Sequence, residues 1–251
     1  MESGNIIETN DLTKIYDHQI AVDNLTFHVK EGEIFGFLGP NGAGKTTTLL
    51  MLMGLTLPTR GSACVCRLDP VLQAKKVKSL VGYLPENVGF YNDMNAIESL
   101  IYIAELNGMK GKGLLDKIHY VLEIVGLSDD AQKLVGTFSK GMKQRLGIAE
   151  VLLKDPKVMF LDEPTIGLDP DGAARIIDLI ESLNRDHNIT VLVSSHNLIH
   201  VQKISHRVGI MIKGNMVAMG SIEQLGKEKF GIGEERYTLE EIYMKYFQEV
   251  S

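Results

Sequence analysis

Cysteine is scarce in this 251-residue chain: only Cys64 and Cys66 occur. Two are too few for a disulfide framework, and a reduced, cytosolic setting is the simplest account. A basic excess is absent as well. The 26 lysines and arginines are outnumbered by 32 aspartates and glutamates, for a net charge of −6. That balance gives no support to general nucleic-acid binding. No long hydrophobic run is present either. The longest apolar stretch, Leu49 to Leu57, is interrupted by Gly54 and Thr56 and falls far short of a membrane span. Met1-Glu2-Ser3-Gly4-Asn5 carries neither a basic region nor an apolar core, so no secretory leader is expected. What is there is ordinary globular composition, 44% hydrophobic and 23% charged. It suits one large domain, or a domain with a subdomain.

The most informative stretch runs Gly39-Pro40-Asn41-Gly42-Ala43-Gly44-Lys45-Thr46-Thr47-Thr48. It has the spacing of a glycine, four residues, then Gly-Lys-Thr. An apolar run, Ile34-Phe35-Gly36-Phe37-Leu38, precedes it, and Leu49-Leu50-Met51-Leu52-Met53 follows. That is strand, glycine-rich loop and helix, the context this motif requires. Glycines let successive backbone N–H groups converge on phosphate oxygens. The loop opens onto a helix N-terminus, which favours the same anion. Lys45 is expected to reach the β- and γ-phosphates of a nucleoside triphosphate, and Thr46 to offer its hydroxyl to Mg²⁺. A glycine-rich turn that merely holds Lys-Thr is the competing reading, and both flanks weigh against it.

Around this loop the pattern reads as a mixed α/β chain. Residues 6–30 alternate through Ile6, Ile7, Leu12, Ile15, Val22, Leu25, Phe27 and Val29, as antiparallel strands do. Short strands are expected at 62–66, 80–84, 157–162 and 190–194. Cys64 and Cys66 would then share one strand face, as buried small apolar residues rather than a metal pair. From about Asn95 to Val125 the period becomes helical. A further helix begins at Ser139 and stops before Pro156. Helices are also expected at 171–186 and 196–205, and Lys213-Gly214-Asn215 reads as a hairpin turn. In the tail Thr238 and Glu241 have capping-box spacing, and Leu239, Ile242, Tyr243, Tyr246 and Phe247 form an apolar stripe.

Val158-Met159-Phe160-Leu161-Asp162-Glu163 is an apolar strand ending in two carboxylates. Paired acids at the end of a core strand are expected to face a cation or a reacting centre. In phosphoryl transfer the Asp supports Mg²⁺ and the Glu polarises the attacking water. Phe138-Ser139-Lys140-Gly141-Met142-Lys143-Gln144-Arg145 then resembles the signature motif of ABC-type ATPases, commonly Leu-Ser-Gly-Gly-Gln. The resemblance runs from Leu12 to about Leu225. Tyr16, 23 residues before Gly39, matches the aromatic that stacks on adenine. Glu86 stands where the family usually has Gln, Gly167-Leu168-Asp169 matches the D-loop, and His196 matches the switch histidine. Lys140 and Met142 depart from the signature, while Ser139 and Gly141 are kept. This combination resembles the branch whose ATPases drive ABC-2 type exporters. A shorter stretch, Pro85–Tyr91, looks like the ATPase of the transporter serving copper-site maturation in nitrous oxide reductase.

The resemblance implies a P-loop NTPase core with a mixed sheet, an N-terminal antiparallel β-subdomain and an inserted helical subdomain. It places an ATPase domain over 1–236, with the helical insertion at about 87–155, and an amphipathic helix over 237–251. ATP would contact Tyr16, Gly39, Pro40, Asn41, Gly42, Ala43, Gly44, Lys45, Thr46 and Thr47, with Ser139 and Gly141 facing the γ-phosphate. Thr46, Glu86 and Asp162 would serve Mg²⁺, and Glu163 and His196 would serve catalysis. The implied partners are a separate transmembrane permease subunit and a second ATPase subunit in a homodimer, with no nucleic acid. The implied place is cytoplasmic, peripheral on the inner face of the cell membrane. The competing reading is a soluble ABC ATPase acting on ribosomes or DNA. Val88, Phe90 and Tyr91 are expected to form a socket for the permease. The other histidines (His18, His28, His119, His187, His200, His206) have no motif context and are read as structural.

Overall fold

The computed structural model describes residues 4–231 and 237–250. In chain order it contains β1 (Asn5–Tyr16), β2 (Gln19–Lys30), β3 (Ile34–Leu38), α1 (Lys45–Leu52), β4 (Arg60–Val65), α2 (Ala74–Leu80) and β5 (Val81–Leu84). Three helices follow: α3 (Ala96–Leu106), α4 (Leu114–Ile124) and α5 (Lys140–Leu152). Then come β6 (Val158–Asp162), α6 (Pro170–His187), β7 (Thr190–Ser195), α7 (Leu198–Ile204), β8 (Arg207–Ile212), β9 (Asn215–Gly220), α8 (Ile222–Phe230) and α9 (Leu239–Val250).

The strands form two sheets. One is antiparallel, in the order β2-β1-β4; the other has six strands in the order β5-β6-β7-β3-β8-β9. In the second sheet the first five strands are parallel and β9 closes the edge antiparallel to β8. Every residue of β3, β6 and β7 is buried, because a parallel sheet is covered on both faces. Phe27 of β2 lies 5.8 Å from Phe35 and 5.7 Å from Phe37 of β3, ring to ring. Those stacks join the two sheets over α1.

Helices α3, α4 and α5 interrupt the sheet between its neighbouring strands β5 and β6. An Asn95–Glu98 capping box starts α3, and the Ser139 hydroxyl caps α5 by accepting from Met142 N at 3.2 Å. Arg145 donates to the Val125 and Gly126 carbonyls at 2.9 and 2.6 Å, satisfying the free end of α4. Thr238 and Glu241 cap α9 reciprocally. Leu239, Ile242 and Tyr246 of α9 are buried with Ile210, Val201 and Leu225, against β8, α7 and α8.

Several local expectations are corrected. Residues 74–80 form α2, and Leu80 ends that helix rather than starting a strand. Val77 is its single buried residue amid Lys75, Lys76 and Lys78, so no apolar stripe announces it. Helix α8, with a Ser221–Gln224 capping box, was not anticipated at all. Cys66 lies beyond β4 at φ 51°, not on a shared strand face with Cys64, and both are half-buried. Burial pushes the Cys66 thiol up to about 11. Val88 and Phe90 pack on the helical core, whereas Tyr91 is exposed and meets Tyr102 edge to face at 5.6 Å. Val88 and Phe90 thus share part of their apolar surface with the chain's own core and leave part exposed beside Tyr91.

Candidate active site

The C-terminal ends of β3, β6 and β7 meet at one edge of the parallel sheet, where such folds bind ligands. From β3 the chain turns through Gly39–Gly44 into α1. Gly44 has φ 102°, and a Cβ there would lie 2.3 Å from the Ala21 carbonyl. Only glycine fits. No side chain caps α1, so its N-terminal N–H groups stay available to a ligand. A cavity of about 380 Å³ opens above the loop, lined by Asn41–Thr47 together with Tyr16, Gln19, Ala21, Glu86 and Glu163.

Lys45 is 6% exposed. Its Nζ donates to the Gly39 carbonyl at 2.7 Å and to the Pro40 carbonyl at 3.3 Å, and lies 3.4 Å from Glu163 Oε1. Buried ammonium needs such partners. Thr46 Oγ1 donates to Asp162 Oδ2 at 2.7 Å. On the far side Ser194, the register partner of Asp162 across β6 and β7, donates to Asp162 Oδ1. Tyr83 on β5 is pushed up to about 12 by burial, then by the Asp162 charge and its hydrogen bond, with Glu86 adding to the effect.

Glu163 is the first residue past β6 and sits at φ 48°, a conformation that costs roughly 1–3 kcal/mol and clusters at functional sites. Its N–H donates to the Ser194 carbonyl at 3.1 Å. Its Oε2 lies 2.8 Å from His196 Nδ1 and accepts from His196 N at 3.3 Å. Its Oε1 is buried without a hydrogen bond. One strained carboxylate thus faces a buried ammonium on one side and a half-exposed imidazole on the other.

A family model described as ABC transporter matches residues 22–166, more than half of the chain. The chain belongs to the ABC transporter family. It is an ATP-binding subunit, and members of the family hydrolyse ATP to drive transport. The bacitracin transport ATP-binding protein BcrA of Bacillus licheniformis is 45% identical over 222 residues, 88% of this chain and 72% of that protein. The Nod factor export ATP-binding protein I of Burkholderia pseudomallei (strain K96243) is 36% identical over 225 residues, 90% of this chain and 74% of that protein. A solved ATP-binding subunit of an ABC transporter superposes with a TM-score of 0.84 at 26% identity, covering 96% of this chain and 99% of that one. A role on ribosomes or DNA finds no support among these relatives.

Within the subunit, the residues singled out in the sequence separate into two groups. Tyr16, the Gly39–Thr47 loop, Glu86, Asp162, Glu163 and His196 converge on one cavity or on its floor. The Tyr16 ring is 45% exposed at the mouth, with Lys14 Nζ 4.7 Å from its centre. Ser139 and Gly141 do not line that cavity. They stand at the start of α5, where Gly141 approaches Leu168 and the Lys140 amine lies against Gly167. Ser194 was missed as a site residue. Its signal was a polar pair, Ser194-Ser195, closing a buried strand, the same signal that marked Asp162-Glu163.

Proposed function

We propose that this chain is the ATP-hydrolysing motor of an exporter. The observation that carries it is the buried set at the cavity floor: Lys45 against Glu163, and Thr46 against Asp162. When the triphosphate arrives, its charge competes with the Gly39 and Pro40 carbonyls for Lys45, since an anion holds an ammonium better than neutral acceptors do. Glu163 is then released to take a proton from the attacking water, whose oxygen bonds to the γ-phosphorus as ADP leaves. His196, bonded to Glu163 Oε2 and half-exposed, is placed to follow the γ-phosphate.

The donor set fits Mg²⁺. Thr46 and Asp162 are hard oxygen donors already held together, and Glu86 adds a carboxylate to the cavity wall. No group of three or more His, Cys, Asp or Glu forms a cage among the described residues, which suits an ion that keeps waters and substrate phosphates as ligands. Bound there, Mg²⁺ would neutralise charge on the β- and γ-oxygens.

Ser139 at the start of α5 is exposed and lies outside the lining of its own cavity, with a hydroxyl and a positive dipole end at that terminus. This favours a homodimer in which Ser139 and Gly141 of each copy meet the γ-phosphate of the other. Among the described residues no helix is long and apolar enough to cross a membrane. The proposed assembly adds a separate permease that carries the export path, with this subunit peripheral on the cytoplasmic face of the cell membrane, as the transport and export roles of the relatives support. The export and transport roles named for the relatives support the direction. The exposed Tyr91–Tyr102 pair is the aromatic anchor offered to that permease. The net charge of −6 is consistent with no nucleic-acid partner. Gel filtration of Glu163→Gln with ATP and Mg²⁺ tests the composite site: a dimer is expected, and a monomer alone overturns it.

A further inference from the structure

His200 has no place in the phosphate-binding machinery, yet it is tied to the strand end that carries Glu163. Thr165 Oγ1 and His200 Nδ1 lie 3.2 Å apart. Two residues before Thr165 is Glu163, and four residues before His200, in the bend ahead of α7, is His196, itself 2.8 Å from Glu163. The loop after β6 is therefore tied twice to the segment entering α7, through Glu163–His196 and Thr165–His200. We infer that His200 is a positioning residue, whose bond to Thr165 holds the start of α7 beside the strained Glu163.

Strain makes this tie necessary. Glu163 stays at φ 48° only if its surroundings over-determine it. The Ser194 carbonyl fixes the amide before the turn, and local bonds from Ile166 N to the Glu163 carbonyl and Leu168 N to the Thr165 carbonyl close the turn itself. Neither kind of bond fixes the turn to α7. The His196 tie cannot serve as a permanent link, because the proposed reaction needs Glu163 and His196 free to address water and phosphate. His200 can, because it sits inside α7, whose first turn is capped by Asn197 accepting from His200 N at 3.2 Å. Val201 and Ile204 of the same helix are buried and seat it on the core. Burial, with the Lys203 charge behind it, holds the imidazole below its ordinary value. That favours the neutral ring, which pairs with the Thr165 hydroxyl, itself 9% exposed, through either tautomer.

This inference rests on Glu163 being the base, so the test includes that residue. His200→Ala and Thr165→Val are each expected to lower kcat for ATP hydrolysis about tenfold, well short of the roughly 10²-fold that a 1 Å misplacement costs. KM for ATP should not change, and the melting temperature should stay within roughly 2–4 °C. The double variant should fall no further than either single one, and His200→Asn, which keeps a polar atom near the Nδ1 position, should recover most of the rate. Wild-type kcat in His200→Ala overturns the role. So do losses that multiply in the double variant, or a loss that follows the melting temperature. Glu163→Gln, assayed alongside, separates the two readings: if it is slow and His200→Ala is normal, only the His200 role falls. If Glu163→Gln turns over like the wild type, the base assignment falls and the His200 role with it.

Discussion

The phosphate loop and the start of α5 are both helix N-termini, yet they differ in how much of their surroundings the chain itself supplies. At Gly39–Thr47 the chain supplies the whole environment: a buried lysine, buried carboxylates, glycines that only this packing allows, and walls from both sheets. At Ser139–Gly141 it supplies a capped helix on an exposed face, held to its own loop through Gly141–Leu168 and Lys140–Gly167 contacts. The first region is assembled within one chain. The second stands outside that cavity, exposed at Ser139 and Lys140. Affinity for nucleotide should thus reside in the loop, and its use should depend on the signature turn.

The sharpest way to break that contrast is Lys45→Ala. It removes the buried cation of the cavity floor, so ATP binding measured by calorimetry should be lost. An unchanged dissociation constant would show that the loop is not the seat of affinity. Next is Glu163→Gln, which keeps the shape but not the proton affinity. Steady-state hydrolysis should fall by about 10² to 10⁴ while ATP still binds; a wild-type rate would remove Glu163 from the chemistry.

Ser139→Ala sharpens the comparison from the other side. The isolated chain should bind ATP as before, because Ser139 lies outside the cavity. Turnover should fall about tenfold or more through a lost charge-assisted hydrogen bond, worth roughly 1.5–3 kcal/mol. If single-chain affinity falls instead, the two regions are not separable. The smallest effect on nucleotide chemistry is expected from deleting residues 238–251. Leu239, Ile242 and Tyr246 are buried under the far side of the sheet, and burying each such side chain contributes about 1.5–3 kcal/mol. The melting temperature should fall by roughly 5–15 °C, with ATP affinity intact in the surviving fold. An unchanged melting temperature would make α9 a partner-binding element instead.

Legibility in the sequence followed how local each signal was. Gly39–Thr48, the carboxylates after Val158–Leu161 and the caps at Ser139 and Thr238 could be read directly, because spacing along a loop, strand or helix turn determines them. Helix α2 could not, since one buried valine among lysines has no period to detect. Phe90 could not be separated from Tyr91 either: both are aromatic, and only the packing of the helical core leaves one half-buried and the other exposed.

The sequence by itself determined the chemistry of this protein, because a phosphate cradle, a lysine and a pair of strand-end acids are specified by residue type at fixed offsets. Tertiary structure alone decided how the parts meet. Ser194 reaches Asp162 only because β6 and β7 pair in that register. His200 reaches Thr165 only because α7 packs beside the end of β6. The start of α5, exposed at Ser139, comes against the Gly167–Leu168 turn only because the helical insertion packs beside the end of β6. Those are contacts between residues far apart in the chain, 32 positions for Ser194 and Asp162 and 35 for His200 and Thr165, and no local periodicity encodes them.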